Sequence, residues 1–466
     1  MGFDDTICAP ATQPGTGAIT IIRLSGPDTF PVVDRVVAFR RGSAASAAGY
    51  TVKYGTVSDG GSVLDNVLVT FFRSPNSYTG EDSAEISCHA SPYIASRILS
   101  LLVDAGARTA GPGEFTRRAF ANGKMDLAQA EAVADVVAST SEAAQRVAMT
   151  QLRGGYSSRL RELRDKLLQM ASLMELELDF SEEEVEFASR TQLMALLDET
   201  LERVDRLADS FRAGNAIKNG VPVAIVGGVN TGKSTLLNAL VGEDRAIVSD
   251  EAGTTRDTVE ERVMIGGVLF RFIDTAGLRK TAGTVEQMGI SRSLDSLSKA
   301  SVVLLVLDGS APLPALRDSF PEVAGKIDLS NQILFVLRNK KDVCGGSWIL
   351  SPASVAADLG VDRVLDISAR TGEGLDELRC SLAEAWTERS MGAEDSVVVT
   401  NMRHYEALRR ASGNLREVRS GLASGTSTDL LSQPLRLATR ELGSIFGEIT
   451  SDEILGEIFG RFCIGK

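Results

Sequence analysis

Cysteine and histidine are scarce in this sequence, and their spacing excludes two classes of site. The five cysteines are odd in number and scattered, with no C-x-x-C pair, so neither a disulfide framework nor a zinc site is indicated. They are Cys8, Cys88, Cys344, Cys380 and Cys463. The two histidines, His89 and His404, each stand alone and are interpreted as structural or surface residues.

Long hydrophobic runs and excess positive charge are also lacking. The longest apolar run, residues 302–307, is strand-sized and far too short for a membrane span. The acidic start, Met-Gly-Phe-Asp-Asp, has no apolar region typical of a secretory signal, so a cytoplasmic location is the default expectation. The net charge of −13 argues against a freestanding nucleic-acid binder, so a nucleic-acid partner would need a local basic face or a second protein.

The length of 466 residues favours about three domains, and the 43% hydrophobic content is ordinary for a globular protein. Alternating apolar runs at residues 17–24, 63–72 and 83–88, followed by helical spacing at 92–106, predict an α+β domain over residues 1–120. Arg23, Glu81 and Lys124 are isolated charges in this region, and from the residues alone a surface charge or local cap is the favoured interpretation.

Helical spacing dominates residues 121–216 and resumes over 385–466, which predicts an antiparallel, discontinuous helical bundle. Two helical segments, residues 146–166 and 403–419, are rich in arginine and lysine. A solvated helix face is the favoured interpretation of both, and a phosphate-backbone contact surface is the alternative.

Residues 217–384 alternate strands with helices, which predicts a Ras-like, doubly wound α/β domain inserted into that bundle. Within it the sequence predicts a helix over residues 236–240, a strand over residues 333–337 and a hairpin at Gly266-Gly267. The central motif is G-x-x-x-x-G-K-S from Gly227 to Ser234, after an apolar run and before helical spacing. Such a loop wraps phosphates with backbone N–H groups, while Lys233 reaches the β- and γ-phosphates and the Ser234 hydroxyl ligates Mg²⁺.

Four further motifs follow in the order that a GTPase requires. Gly253-Thr254-Thr255-Arg256-Asp257 can place a hydroxyl on Mg²⁺, and Asp274-Thr275-Ala276-Gly277 can hold Mg²⁺ through water and meet the γ-phosphate. Asn339-Lys340-Lys341-Asp342 offers the Asp342 carboxylate to the guanine N1–H and 2-amino group, and Ser368-Ala369-Arg370 can meet guanine O6. Guanine is therefore favoured over adenine.

The hydrolytic machinery differs from that of Ras. The position after Asp274-Thr275-Ala276-Gly277 is Leu278, which cannot orient water as the Ras glutamine does. Either GTP is barely hydrolysed or another group acts, and the candidates are Arg256, Arg279 and Glu286.

These motifs resemble those of the bacterial MnmE (TrmE) family of tRNA modification GTPases, and the resemblance covers the whole chain. It is carried by six stretches besides the nucleotide motifs. They are Asp5-Thr6-Ile7, Pro14-Gly15, Arg23-Leu24-Ser25-Gly26, residues 113–120 (Gly-Glu-Phe-Thr-Arg-Arg-Ala-Phe), residues 126–132 (Asp-Leu-Ala-Gln-Ala-Glu-Ala) and the C-terminal Phe462-Cys463-Ile464-Gly465-Lys466.

The resemblance implies a potassium-activated GTPase that forms a homodimer and acts with the FAD-dependent partner MnmG, which uses NADH. Together they would place an aminomethyl-type group, such as carboxymethylaminomethyl, at C5 of the wobble uridine of certain tRNAs. The carbon would come from a folate, 5-formyl- or methylene-tetrahydrofolate. A cation against the phosphates can replace the missing glutamine, because it stabilises developing charge.

The resemblance also assigns residues. The K⁺ ligands would be Asn230, Ser249, Glu251 and Thr254. The Mg²⁺ ligands would be Ser234 and Thr255, and Glu286 would orient water. Arg23, Glu81, Lys124 and Lys466 would bind folate, and Cys463 is a candidate reactive thiol, although simple packing of a small side chain is an equal interpretation. The expected nucleotide contacts are Asn230, Thr231, Gly232, Lys233, Ser234, Thr235, Ser249, Asp250, Glu251, Ala252, Gly253, Thr254, Thr255, Asp274, Thr275, Ala276, Gly277, Asn339, Lys340, Asp342, Ser368, Ala369 and Arg370.

Gly228, Val229 and Thr231 depart from the residues usual in this family and are expected on the outer side of the turn. The competing hypothesis is a regulatory or ribosome-assembly GTPase switch without folate chemistry. Asn230 with Leu278 fits both hypotheses, whereas the N-terminal domain and the Cys463–Lys466 tail favour the modification enzyme.

Overall fold

The computed structural model describes residues 4–179, 190–228, 230–243, 260–273, 297–310, 327–329, 332–343, 356, 361, 363–390, 398–448, 452–460 and 462–465. The chain divides into two compact units. The first comprises residues 1–137, 150–201 and 410–466, and the second comprises residues 138–149 and 202–409. No helix among the described residues is long and apolar enough to cross a membrane.

The first unit contains a seven-stranded sheet in the order β3-β4-β5-β6-β2-β1-β7. Its strands are β1 (Ile7–Pro10), β2 (Ile19–Ser25), β3 (Val37–Phe39), β4 (Thr51–Asp59), β5 (Ser62–Phe72), β6 (Ser83–His89) and β7 (Arg108–Thr109). Neighbours pair antiparallel except β1 with β7. This confirms the predicted N-terminal α+β region.

One face of this sheet forms a core because apolar residues alternate along its strands. In β5, Val67, Val69 and Phe71 are buried, whereas Leu68 between them is exposed. Helices α1 (Thr29–Val36) and α2 (Pro92–Asp104) cover the buried face, and Ile98 and other apolar residues of α2 join its core.

The remaining helices follow the predicted periodicity. They are α3 (Glu114–Ala121), α4 (Leu127–Ala138), α5 (Glu142–Leu152), α6 (Gly155–Asp179), α7 (Arg190–Asp209), α8 (Phe211–Asn219), α9 (Lys233–Glu243), α10 (Leu375–Ser390), α11 (Met402–Ala423), α12 (Thr428–Phe446) and α13 (Asp452–Gly460). Within the first unit α6 packs along α12, and α13 packs on α3 through a cluster that includes Leu127, Phe459 and Phe462.

The second unit contains a six-stranded sheet in the order β13-β12-β11-β8-β10-β9. Its strands are β8 (Val221–Val226), β9 (Glu261–Ile265), β10 (Val268–Phe272), β11 (Val302–Asp308), β12 (Ile333–Asn339) and β13 (Val364–Asp366). All pairs are parallel except the β9–β10 hairpin, which turns at Gly266-Gly267 as predicted. Apolar side chains are buried on both faces, which confirms the doubly wound sheet.

Two boundaries differ from the sequence prediction in a way that affects the site. Helix α9 begins at Lys233, three residues before the predicted start at residue 236, because the phosphate loop leads directly into its first turn. Strand β12 continues to Asn339, two residues beyond the predicted end at residue 337, since its ladder to β11 extends to the last residue of both strands. Arg338 and Asn339 are therefore fixed strand residues.

Candidate functional site

The loop between β8 and α9 has the close approaches that a phosphate loop needs. A Cβ added at Gly227 would lie 2.2 Å from the Val306 carbonyl oxygen, and one at Gly232 would lie 2.1 Å from the Asn339 Nδ2. Gly232 also has a φ of +97°, which favours glycine. Because α9 begins at Lys233, the N-terminal amides of that helix face this loop, an arrangement suited to an anion.

Side chains of the loop adopt defined positions. The Lys233 Nζ donates to the carbonyl oxygens of Gly227 at 2.9 Å and Gly228 at 2.5 Å, and burial lowers the pKa of Lys233. Thr231 is buried and its hydroxyl donates to the Gly228 carbonyl at 3.1 Å, so the expectation that Thr231 lies on the outer side of the turn is wrong. The hydroxyl satisfies that carbonyl inside the loop.

Asn230 adopts a left-handed backbone conformation, with a φ of +62°, that asparagine tolerates better than most residues. Its side chain is exposed and has no hydrogen-bond partner among the described residues. Its amide oxygen is therefore not used to cap the turn within that part of the chain.

Asn339 joins three of the predicted nucleotide segments. Its Nδ2 donates to the Thr231 carbonyl oxygen at 2.8 Å, and its Oδ1 accepts from the Ala369 amide at 2.9 Å. Both bonds are buried. The Ser368 hydroxyl donates to Asp342 Oδ1 at 2.7 Å, so the exposed Asp342 carboxylate is oriented from the neighbouring segment. The structure thus brings the phosphate loop and both predicted guanine segments together.

Lys340 follows Asn339 and has a φ of +72°. Its ammonium group donates to Asp308 Oδ2, at the end of β11, at 2.6 Å. Burial raises the pKa of Asp308, but hydrogen bonds from Lys340 and Ser310 outweigh this and hold the pKa below its ordinary value. The ion pair fixes Lys340 beside the predicted base-binding segment.

Two further predicted contacts are exposed: Thr235 lies on α9 and Arg370 lies beyond β13. Ser234, on the first turn of α9, is half-buried. Fifteen candidate residues lie outside the described residues, and their roles stay predictions. They are Ser249, Asp250, Glu251, Ala252, Gly253, Thr254, Thr255, Arg256, Asp274, Thr275, Ala276, Gly277, Arg279, Glu286 and Lys466.

A second cluster lies in the first unit around Glu81. The Ser25 hydroxyl donates to Glu81 Oε2 at 2.7 Å, and Arg118 Nη1 lies 3.3 Å from both carboxylate oxygens. The Glu81 side chain is only 14% exposed. Glu81 is therefore a fixed carboxylate rather than the surface charge that the sequence alone favoured.

The loop that carries Glu81 also contacts two of the other predicted folate residues, Arg23 and Lys124. The Arg23 guanidinium carbon lies 5.5 Å from the Tyr78 ring centroid, and Arg23 pairs with Glu85 at 2.8 Å. A Cβ added at Gly80 would lie 3.2 Å from Lys124 Cγ, which places Lys124 against the same loop. Arg23, Glu81 and Lys124 therefore gather at one end of the sheet.

The C-terminal tail packs on this part of the unit. Ile464 forms an antiparallel bridge with Pro112, and the Gly465 carbonyl accepts from Arg23 Nη1 at 3.5 Å. A Cβ added at Gly465 would lie 2.0 Å from the Pro10 carbonyl oxygen, so only glycine fits this close approach. Cys463 is exposed one residue before the bridge.

Sequence reasoning missed two buried arginines. Arg118 is fully buried and pairs with three carboxylates, those of Asp5, Glu81 and Glu114. Arg338 is 2% exposed and forms a bidentate pair with Asp366. A signal existed for each: Glu114 and Arg118 have i,i+4 spacing, and Arg338 interrupts an otherwise apolar strand.

In both basic helical segments, several of the basic side chains pair with acidic residues of neighbouring elements. In the first, Arg161 pairs with Asp126 at 2.7 Å and Lys166 with Glu199 at 2.7 Å. In the second, Arg410 pairs with Glu441 and Arg419 with Asp198. These pairs favour the interpretation of solvated, charge-balanced helix faces.

The doubly wound sheet, with its phosphate loop after β8 and joined base segments after β12 and β13, defines a P-loop protein of the GTPase class. Two family models match the chain: "GTP-binding protein TrmE N-terminus" over residues 6–124 and "MnmE helical domain" over residues 127–463. The chain belongs to the MnmE family.

Relatives support the same assignment along the full length. Proteins named "tRNA modification GTPase MnmE" from Parabacteroides distasonis and Porphyromonas gingivalis are each 47% identical and align with 99% of this chain and 100% and 98% of their own lengths. The protein of that name from Flavobacterium johnsoniae is 45% identical, with 99% of each chain covered.

Two solved structures resemble part of the chain. The G domain of the T. maritima FeoB iron transporter is 25% identical and covers 35% of this chain and 97% of its own, with a TM-score of 0.27. Aquifex aeolicus Era bound to GDP and AlF4⁻ is 27% identical and covers 41% and 65%, with a TM-score of 0.28. At these low TM-scores they add nothing to the family assignment.

Proposed function

We propose that this protein is a tRNA modification GTPase. It hydrolyses GTP in the second unit and, with an FAD-dependent partner, modifies C5 of the wobble uridine of certain tRNAs from a folate one-carbon donor. The observation that supports GTP as substrate is the pair of buried Asn339 bonds, which joins the phosphate loop to both guanine segments. The full-length relatives support tRNA as the macromolecule that is modified.

The residues suit the groups that this function requires. Lys233 and the amides at the start of α9 would bind the β- and γ-phosphates, and Asp342 would accept from the guanine N1–H and 2-amino group. The Ser234 hydroxyl and the Asn230 amide are oxygen donors of the kind that Mg²⁺ and K⁺ bind. When bound, these cations would stabilise charge on the phosphates. The same proposal assigns Thr255 as a second Mg²⁺ ligand and Glu286 as the residue that orients water. It also assigns three further K⁺ ligands, Ser249, Glu251 and Thr254.

The N-terminal cluster suits a folate. The Glu81 carboxylate is held by Ser25 and Arg118 and can accept from the N–H donors of a pterin. The Tyr78 ring is 37% exposed beside it and offers an aromatic face to a flat heterocycle. Arg23, Lys124 and Lys466 would bind the carboxylates of the folate tail, and Cys463 would lie beside the donor.

The proposed organisation has an N-terminal domain over residues 1–120, helical segments over 121–216 and 385–466, and an inserted G domain over 217–384. The protein would act as a homodimer through the N-terminal domain. The outer face of its sheet supports this, because Ile19, Val52, Tyr54 and Leu68 are exposed there. Light scattering should give twice the mass of one chain, and the mass of a single chain would contradict the dimer.

GTP turnover tests the hydrolytic part of the proposal. We expect turnover to be much faster in potassium chloride than in sodium chloride at equal ionic strength, and Glu286→Ala to abolish it while GTP still binds. Asp376→Ala is the matched control, because its side chain is 97% exposed on α10 and should leave turnover unchanged. Equal rates in both salts would exclude cation activation and favour the regulatory-switch alternative.

Folate binding separates the enzyme from a GTPase switch. Titration calorimetry with 5-formyl-tetrahydrofolate should show binding that Glu81→Gln weakens roughly tenfold or more, since an ionised acceptor is lost. Glu85→Gln tests a neighbouring carboxylate that is engaged by Arg23 and should have a smaller effect. No binding by the unmodified protein at saturating ligand would exclude the folate site.

A further inference from the structure

We infer that Arg338 and Asp366 form a positioning pair that holds the two guanine-recognition segments in register and thereby sets selectivity for the base. The inference rests on the proposed guanine site. The Arg338 Nε lies 2.5 Å from Asp366 Oδ1, and Nη2 lies 2.6 Å from Oδ2, so the contact is bidentate. Arg338 is 2% exposed and Asp366 15% exposed.

Arg338 and Asp366 are register partners in β12 and β13, directly before the segments that contain Asp342 and Ser368. Strand β13 has three residues and lies at an edge of the described sheet, so few backbone hydrogen bonds hold it. The pair therefore lies at the base of both guanine segments and adds a side-chain constraint to the few backbone hydrogen bonds that join β13 to β12.

The pair also distinguishes the observed register of β13 from an alternative one. The other partners of β13 are Val336 with Val364 and Leu337 with Leu365. A slip of β13 by two residues toward the start of β12 would keep the same faces inward and would oppose Val364 to Leu334 and Leu365 to Phe335, while displacing the strand by about 6.6 Å. Such a slip would separate the two charges and leave Arg338 buried without this carboxylate. Only the observed register satisfies the pair.

The register of β13 also affects the groups that would contact the base. Ser368 orients the Asp342 carboxylate at 2.7 Å, and the Ala369 amide binds Asn339 at 2.9 Å. Both bonds depend on the relative positions of the segments that leave β12 and β13. Because a buried ion pair contributes little stability compared with an apolar pair of similar volume, its main consequence here is geometric specificity.

The test compares GDP with IDP, because hypoxanthine lacks the 2-amino group assigned to Asp342. Dissociation constants are measured on the full-length protein by competition with a fluorescent GDP analogue. Arg338→Met should weaken GDP binding roughly tenfold and IDP binding much less. The interaction that is lost is the one between the guanine 2-amino group and the Asp342 carboxylate, a hydrogen bond to a charged group. Arg338→Lys keeps the charge without the planar fork, so its GDP affinity should lie between those of the unmodified protein and of Arg338→Met.

Arg271→Met is the matched control. Arg271 pairs with Glu260 at 3.0 Å at the opposite side of the same sheet, with 25% exposure, and its loss should leave the GDP-to-IDP preference unchanged. If Arg338→Met does not fold, the double variant Arg338→Met with Asp366→Leu removes both charges and leaves no unpaired one. It should fold and still lose base preference.

Two outcomes would overturn the inference: an unchanged GDP-to-IDP preference in the variant that folds, or equal weakening of both ligands. A failure of the guanine site itself is distinguishable. Asp342→Asn should exchange GDP preference for XDP preference, because the amide can donate to the additional carbonyl of xanthine. The proposed site itself, rather than the role of Arg338, would be disproved by either of two results. One is that Asp342→Asn still prefers GDP, and the other is that the unmodified protein shows no preference for GDP over IDP.

Discussion

We expect the loss of Arg118 to destabilise the first unit more than the loss of any other residue. It is fully buried, and its guanidinium lies 2.7 Å from Asp5, 3.3 Å from Glu81 and 3.2 Å from Glu114. The Glu81 and Glu114 side chains are 14% and 13% exposed. Arg118→Met keeps most of the buried volume but leaves these carboxylates without their shared cation.

The magnitude follows from the burial. Removing one partner of a buried ion pair costs about 3–5 kcal/mol, because the remaining charge is uncompensated. Arg108 still pairs with Asp5 and Glu114, so Glu81 is the group most affected. For a unit of this size, the loss lowers the melting temperature by about 2–4 °C per kcal/mol.

The pH dependence gives a sharper test. Burial raises the pKa values of Asp5 and Glu114, but hydrogen bonds and charge from Arg108 and Arg118 outweigh it. The pKa of Asp5 therefore lies below its ordinary value of 3.8, and that of Glu114 lies below its ordinary value of 4.5. Carboxyl groups with lowered pKa values stabilise the folded protein when the pH is above their ordinary pKa values. This stabilisation is lost as the pH falls through their pKa values in the folded state. Arg118→Met weakens that contribution, so its stability deficit should be largest at neutral pH and shrink below about pH 4.

The assay uses probes that separate the two units. Cys8 and Cys88 are buried in the N-terminal sheet, whereas Trp348 and Trp386 both belong to residues 202–409. Urea-dependent labelling of the two thiols with dithiodipyridine, which reacts in acid and at neutral pH, follows the first unit. Tryptophan fluorescence follows the second unit and should be unchanged.

Arg97→Met is the control, because 40% of the Arg97 side chain and 29% of the Asp59 side chain remain exposed, so this pair should contribute much less to stability. A cost for Arg118→Met no greater than that of Arg97→Met would refute the reasoning. So would a deficit that is as large at pH 3 as it is at pH 7.

Two further predictions concern close packing and burial. Gly232→Ala should reduce GDP affinity by at least roughly a hundredfold, measured by calorimetry, because its Cβ would lie 2.1 Å from Asn339 Nδ2 and break that side chain's bonds; unchanged affinity would contradict the observed loop geometry. In the native protein, Cys463 should react with iodoacetamide at pH 8 while Cys8 and Cys88 do not, because burial raises the pKa of both to about 11; mass spectrometry of the labelled peptides would detect any modification of the buried pair.

Periodicity and motif order predicted much of this fold. The β9–β10 hairpin was predictable because Gly-Gly between two apolar runs allows the positive φ values of a tight turn, observed at +57° and +78°. The start of α9 was predicted too late, at residue 236 rather than 233. The helical spacing of apolar residues begins only at Leu236, whereas the first turn consists of the polar loop residues Lys233, Ser234 and Thr235.

The partners of charged residues were not predictable in the same way. Asp308 and Lys340 are 32 positions apart, and Ser25 and Glu81 are 56 apart, so nothing local in the sequence indicates that they meet. Interpreting Glu81 as a surface charge was wrong because a single polar residue in a loop carries no periodic signal of burial. Sheet register, which depends on many distant residues together, decides these pairs.

The two buried arginines have the same physical function in different units. Each lies where a short segment with a proposed ligand contact leaves a sheet, and each fixes a carboxylate on the neighbouring segment: Arg118 fixes Glu81, and Arg338 fixes Asp366. Apolar packing sets which face of a strand is buried but distinguishes poorly between registers that bury the same face. The Arg338 guanidinium binds Asp366 through two nitrogens, and the Arg118 guanidinium contacts three carboxylates at once, so each has a restricted geometry that supplies the precision a ligand contact needs. We therefore expect loss of either arginine to reduce ligand selectivity even under conditions where the unit that contains it remains folded.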